Sequence, residues 1–95
     1  MQKIDAIKEL CSEFITESGI HSQDIRDYLC ISAGIVEDDI THEGCDDWFL
    51  RSTADTAKYI MDKLEYCSEE SQSKVYFLLF EMPETVHGDV FHMGI

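Results

Sequence analysis

The stretch Glu37–Asp47, EDDITHEGCDD, carries Glu37, Asp38, Asp39, Glu43, Asp46 and Asp47 and has no Lys or Arg. A turn uses one or two Asp or Asn side chains to bond its own backbone, and six acids exceed that need. Read as an exposed acidic loop, the stretch is entered through Ile35 and Val36 and tacked to the core by Ile40. It then separates a helical first third from a helical second half. The fold expected is mostly α, a small single-domain bundle of about four helices across residues 1–95. A short C-terminal β-hairpin or irregular flap, making the chain α+β, is the alternative.

Upstream of the acidic stretch, residues 3–17 have the period of an amphipathic helix. Ile4, Ile7, Cys11, Phe14 and Ile15 form one stripe, and Gly19 is a suitable stop. On the other side Asp5, Glu9, Glu13 and Glu17 stand four apart in one row. Like charges at that spacing destabilise a helix by about 0.2–0.5 kcal/mol per pair, and Lys3 and Lys8 offset only part of this. The row is either a solvated face or a charged stripe meant for a partner. A second helix is expected over residues 22–33, with Ser22 as N-cap, Asp24 in the first turn and Gly34 as terminator. Ile25, Tyr28 or Leu29, and Ala33 form its apolar side.

Downstream, Ser52 followed by Asp55 resembles a capping box with a shortened acid. Thr53, Ala57, Ile60, Leu64 and Cys67 then fall on one face of a third helix, with Trp48 and Phe49 as the staple that sets its entry. A flank of the same helix interleaves Asp55, Tyr59, Asp62 and Tyr66. Ser68 with Glu69 and Glu70 starts another helix. Val75–Phe80 is also rich in β-formers, so helix and short buried strand compete there, and helix is favoured. Pro83 ends the segment in either case. Beyond it Val86, Val90, Phe91 and Met93 are the apolar residues of the strand or flap.

Twenty Asp and Glu against seven Lys and Arg give a net charge of −13 and a pI near 4.3. Such a surface repels phosphate backbones and anionic lipid, so direct binding to nucleic acid or to a membrane is excluded as an expectation. A hydrophobic content of 44% is enough for a modest core, since a chain of this size buries roughly 60–65% of its unfolded surface. The first ten residues alternate charged and apolar groups, which predicts no secretory signal. Cys11, Cys30, Cys45 and Cys67 have no close pairing, which predicts free, mostly buried thiols in a reduced cytoplasmic protein.

Chemistry-bearing patterns are sparse. His42 with Cys45 is half of a zinc site with no second half at ligand spacing. Setting Gly44 at position six of a calcium loop puts Leu50 at position twelve, where a bidentate Glu is required. No nucleophile elbow, phosphate-binding glycine loop or zinc-protease motif occurs. The Asp-Ser dipeptide of acyl carriers is missing too. The expectation is a non-enzyme with no metal and no cofactor.

The partner expected is a basic protein surface, belonging to a nucleic-acid-binding protein or a nuclease. Carboxylates on a rigid helical scaffold would stand in for phosphates and inhibit by occupancy. A four-residue helical step rises about 6 Å, near two nucleotides at about 3.4 Å each. In size and charge the chain is similar to phage anti-restriction and anti-CRISPR proteins, a likeness of composition with no shared motif. The partner-binding residues expected are Asp5, Glu9, Glu13 and Glu17, the six acids of the central stretch, and the flank Asp55, Tyr59, Asp62 and Tyr66. Two other readings compete: an immunity protein or antitoxin built on a Tyr-centred hot spot, and an adaptor whose acidity serves solubility. The sequence assigns no oligomeric state.

Overall fold

A computed structural model describes residues 2–16, 23–43 and 47–82. They form four α-helices, with 3₁₀ and π turns, and among the described residues there is no strand. Helix α1 (Lys3–Thr16) buries Ile7, Cys11 and Phe14, the stripe its period predicts, while Ile4 is half-buried and Ile15 partly exposed. Truncating a buried aromatic such as Phe14 to Ala costs about 3–5 kcal/mol, so this face fixes α1 against its neighbours. Gly19 and Ser22 lie outside the described residues.

Helix α2 (Gln23–Thr41) corrects the expected boundary. Gly34 does not stop it, and Glu37, Asp38 and Asp39 belong to its last turns rather than to a loop. Glycine inside a helix costs about 1 kcal/mol relative to Ala. The burial of Leu29, Ala33 and Val36 along one side of α2 outweighs that cost. The helix stops instead at His42, which takes a left-handed φ of 61° and so breaks the ladder as a terminal residue does. Thr41 Oγ1 donates to the Glu37 carbonyl at 2.8 Å and accepts from the Glu43 N–H at 3.2 Å. Ile40, expected to anchor the stretch, is instead 37% exposed, because it falls off the buried stripe once α2 is continuous.

A 3₁₀ turn, Asp47–Leu50, leads to α3 (Thr53–Lys63). Ser52 caps α3 as expected, accepting from the Asp55 N–H at 3.1 Å. Trp48 is buried and does the stapling alone, whereas Phe49 is exposed. Thr53, Ala57, Ile60, Leu64 and Cys67 are all buried, but α3 itself ends at Lys63 and a 3₁₀ turn, Leu64–Tyr66, completes the run. Ser68 then caps α4 (Glu69–Tyr76) through its bond from the Ser71 N–H at 3.3 Å. A π turn, Phe77–Glu81, extends α4, so the described part of the ambiguous segment is helical and the strand is not formed there. Pro83 and the tail expected as strand or flap lie outside the described residues.

Helix α3 packs against both α1 and α2, and α4 lies against the same two helices, with the π turn seated on α2. The core that these contacts enclose runs from Phe14 and Ile7 through Ile60 and Leu64 to Val36, Val75 and Leu79. None of the described helices is long and apolar enough to cross a membrane.

Candidate protein-binding surface

The expected partner-binding acids fall into two groups. Asp5, Glu9 and Glu13 are exposed on α1, on the side away from Ile7, Cys11 and Phe14. They form no ion pair among the described residues, whereas Lys74 pairs with Glu70 at 3.5 Å. Glu17 lies outside the described residues. The second group, at the end of α2, is partly committed to holding the fold. Glu37 is half-buried and accepts from the Trp48 indole N–H at 2.7 Å. Asp39, also half-buried, accepts from the Ser68 backbone N–H at 2.9 Å, at the start of α4. That backbone bond, with lesser help from Ser71, Cys67 and His42, holds the Asp39 carboxyl below its usual range against opposing desolvation. Asp38 and Glu43 remain exposed. Asp47 is exposed on the 3₁₀ turn, and Asp46 is not among the described residues.

Trp48 is the residue that gathers this end of the molecule. Its ring centroid is 4.5 Å from that of Tyr59, at an interplanar angle of 49°. The Arg51 guanidinium lies 4.7 Å over the indole, and the Cys30 thiol donates to the Trp48 carbonyl at 3.3 Å. Burial, and then the Glu37 carboxylate, push the Tyr59 hydroxyl above its ordinary pKa. Tyr59 is therefore partly spent on the core boundary. Tyr66 is 70% exposed, on the 3₁₀ turn beyond α3. The Asp55–Tyr66 flank is thus interrupted at Leu64, although Asp55 and Asp62 are exposed.

No protein-family model, curated protein or solved structure matches the chain.

Lys3 stands 5.5 Å over the Tyr76 ring, Arg51 is held over Trp48, and Lys74 is paired with Glu70, so three of the seven basic residues are engaged within the chain. Among the expected partner-binding acids, Glu37 and Asp39 thus have internal duties, while Asp5, Glu9, Glu13, Asp38, Glu43, Asp55 and Asp62 face solvent. Between α2 and α4 an apolar groove of about 640 Å³ is lined by Ile35, Ser73, Lys74, Glu70, Phe77 and Leu78. Glu70, Ser73, Lys74, Phe77 and Leu78 fall at i, i+3, i+4, i+7 and i+8 along α4 and its π turn, and Ile35 of α2 supplies the opposite side.

Proposed function

We propose that the chain is a non-catalytic inhibitor that occupies a basic, nucleic-acid-handling protein by presenting carboxylates where phosphates would lie. Helix α1 is the presenting element. The observation that carries this reading is the exposed row Asp5, Glu9 and Glu13, backed by a fully buried opposite face that holds the helix still. Rows stepping about 6 Å per charge match a two-nucleotide stride. Binding of this kind is fast, and its rate falls as salt rises. The α2 acids contribute less than their number implies, because Glu37 and Asp39 are engaged internally.

The test is competitive capture. Basic proteins retained from a lysate by the immobilised chain are released by duplex DNA at moderate salt. The variant Asp5→Asn/Glu9→Gln/Glu13→Gln retains none of them. Failure of DNA to compete rejects phosphate mimicry, and retention by the triple variant rejects α1 as its seat. A second reading, an immunity protein for a nuclease toxin, is favoured by the exposed Tyr66 beyond Asp62. It requires Tyr66→Ala to accelerate dissociation from the captured protein while DNA has no effect.

A further inference from the structure

The groove between α2 and α4 has a composition of its own. Ile35, Phe77 and Leu78 form its apolar floor, and Phe77 is left 44% exposed. Ile31, one helical turn before Ile35, is 41% exposed and extends the apolar surface along α2. A smaller hollow continues from the groove through the shared residues Ile35, Glu70 and Lys74, and brings in Asp38, Asp39, Ser68 and Ser71. One end of the apolar floor is thereby rimmed by three carboxylates, Asp38, Asp39 and Glu70, against a single ammonium, Lys74, which is already paired with Glu70.

From this arrangement we infer that the groove is a docking site for a basic amphipathic helix of another protein. Apolar side chains at i, i+3, i+4 and i+7 of the guest lie on Ile35, Phe77 and Leu78, and a flanking Lys or Arg meets Asp38, Asp39 and Glu70. Charge decides against the other occupants of an apolar face. Two copies of a chain carrying −13 would set acidic rim against acidic rim, which costs association. An anionic lipid surface is repelled for the same reason. A cationic guest gains from the rim and from the field of the whole molecule. The groove contains no α1 residue, so this inference goes beyond the α1 row and stands or falls separately from it.

The test uses the whole chain and a fluorescein-labelled Leu/Lys peptide with leucines at helical spacing, read by anisotropy. A scrambled peptide of the same composition controls for attraction between net charges alone. The amphipathic peptide binds at least about tenfold tighter than the scrambled one, and Phe77→Ser weakens it by about tenfold, as loss of a central aromatic anchor does. Ile35→Thr, which keeps the β-branched shape, weakens it as well, and circular dichroism identifies any variant that has not folded. Asp38→Asn/Glu70→Gln weakens binding by about threefold at low salt and by less at high salt. Glu65→Gln, exposed on the 3₁₀ turn outside the groove, leaves it unchanged within about twofold. Equal binding of the scrambled peptide overturns the inference. So does wild-type binding by both folded groove variants, or a concentration-dependent dimer abolished by Phe77→Ser.

Discussion

The indole N–H of Trp48 donates to Glu37 Oε2 at 2.7 Å and ties the last turns of α2 to the turn that leads into α3. A bond to a charged acceptor contributes about 1.5–3 kcal/mol when sheltered, and Glu37 is half-buried. Glu37→Ala therefore destabilises the fold by about 1–2 kcal/mol, whereas Glu37→Gln, which keeps an acceptor oxygen, costs less than about half of that. Urea titration followed by the fluorescence of Trp48, the one tryptophan of the chain, reads both. Equal midpoints for wild type and Glu37→Ala would mean that the carboxylate does not hold α2 in place.

Asp39 gives the fold an acid-dependent contribution. Its carboxyl titrates below its ordinary value, chiefly because the Ser68 N–H bonds the ionised form. Its contribution is fully present above the unfolded pKa near 3.8 and is lost as pH falls through the lower folded value. Asp39→Asn keeps an acceptor for Ser68 and removes the charge. The variant is less stable than wild type at pH 7, and the gap closes as the pH drops below about 4. A gap that stays constant across paired urea titrations from pH 7 to 2.5 would assign the effect to something other than this ionisation.

Local chemistry was readable in the sequence and distant chemistry was not. The Ser52 and Ser68 caps and the Ile7, Cys11 and Phe14 part of the α1 stripe each depend on residues within a turn or two, and the structure has them, although Ile15 at the end of the stripe is exposed. The course of α2 past Gly34 depends on Val36 entering the core, on Glu37 meeting Trp48 and on Asp39 meeting Ser68. Those partners are brought close only by the fold, so glycine and a run of acids looked like the end of a helix. For the candidate surface, the exposure of Asp5, Glu9 and Glu13 followed from periodicity. The internal use of Glu37 and Asp39, and the groove shared by Ile35 and Phe77, are products of packing between α2 and later elements.

The thiols of Cys11, Cys30 and Cys67 are sheltered. Cys11 is fully buried, and desolvation pushes it up to about 12. Cys67 is buried and raised to about 11, by desolvation first and by Asp39 second. Since the thiolate is the reactive form, iodoacetamide at pH 8 leaves Cys11 and Cys67 unmodified in the native protein and alkylates both in urea. Cys30, half-buried and also raised by burial, reacts slowly. Peptide mapping by mass spectrometry distinguishes the sites, and rapid native labelling of Cys11 would show that α1 opens readily from the core.

Ser32 is a misfit in the core. Its hydroxyl oxygen is fully buried on α2 and has no hydrogen-bond partner among the described residues. An unsatisfied buried polar group costs about 1–3 kcal/mol, and removing it leaves an apolar methyl that fits the same space. Alanine is also the better helix former. Ser32→Ala is therefore neutral to about 1 kcal/mol more stable than wild type in thermal or urea unfolding. A loss of stability beyond that range would mean that the hydroxyl is satisfied in solution.

The α1 acids allow stability and binding to be separated. Glu9 stands four residues from both Asp5 and Glu13, so it takes part in two like-charge contacts, each worth about 0.2–0.5 kcal/mol of repulsion. Glu13 lies toward the C-terminal half of α1, where a negative charge opposes the helix dipole. Glu9→Gln/Glu13→Gln removes these repulsions, and added salt screens them in the wild type. The double variant is accordingly more stable than wild type by about 0.5 kcal/mol at low salt, and the difference shrinks as sodium chloride is raised. A residue kept for the fold loses stability when neutralised, as Glu37 and Asp39 do. A residue kept for a partner gains stability and loses binding. If the double variant is instead less stable than wild type at low salt, the row serves the helix itself, and α1 is not the presenting face.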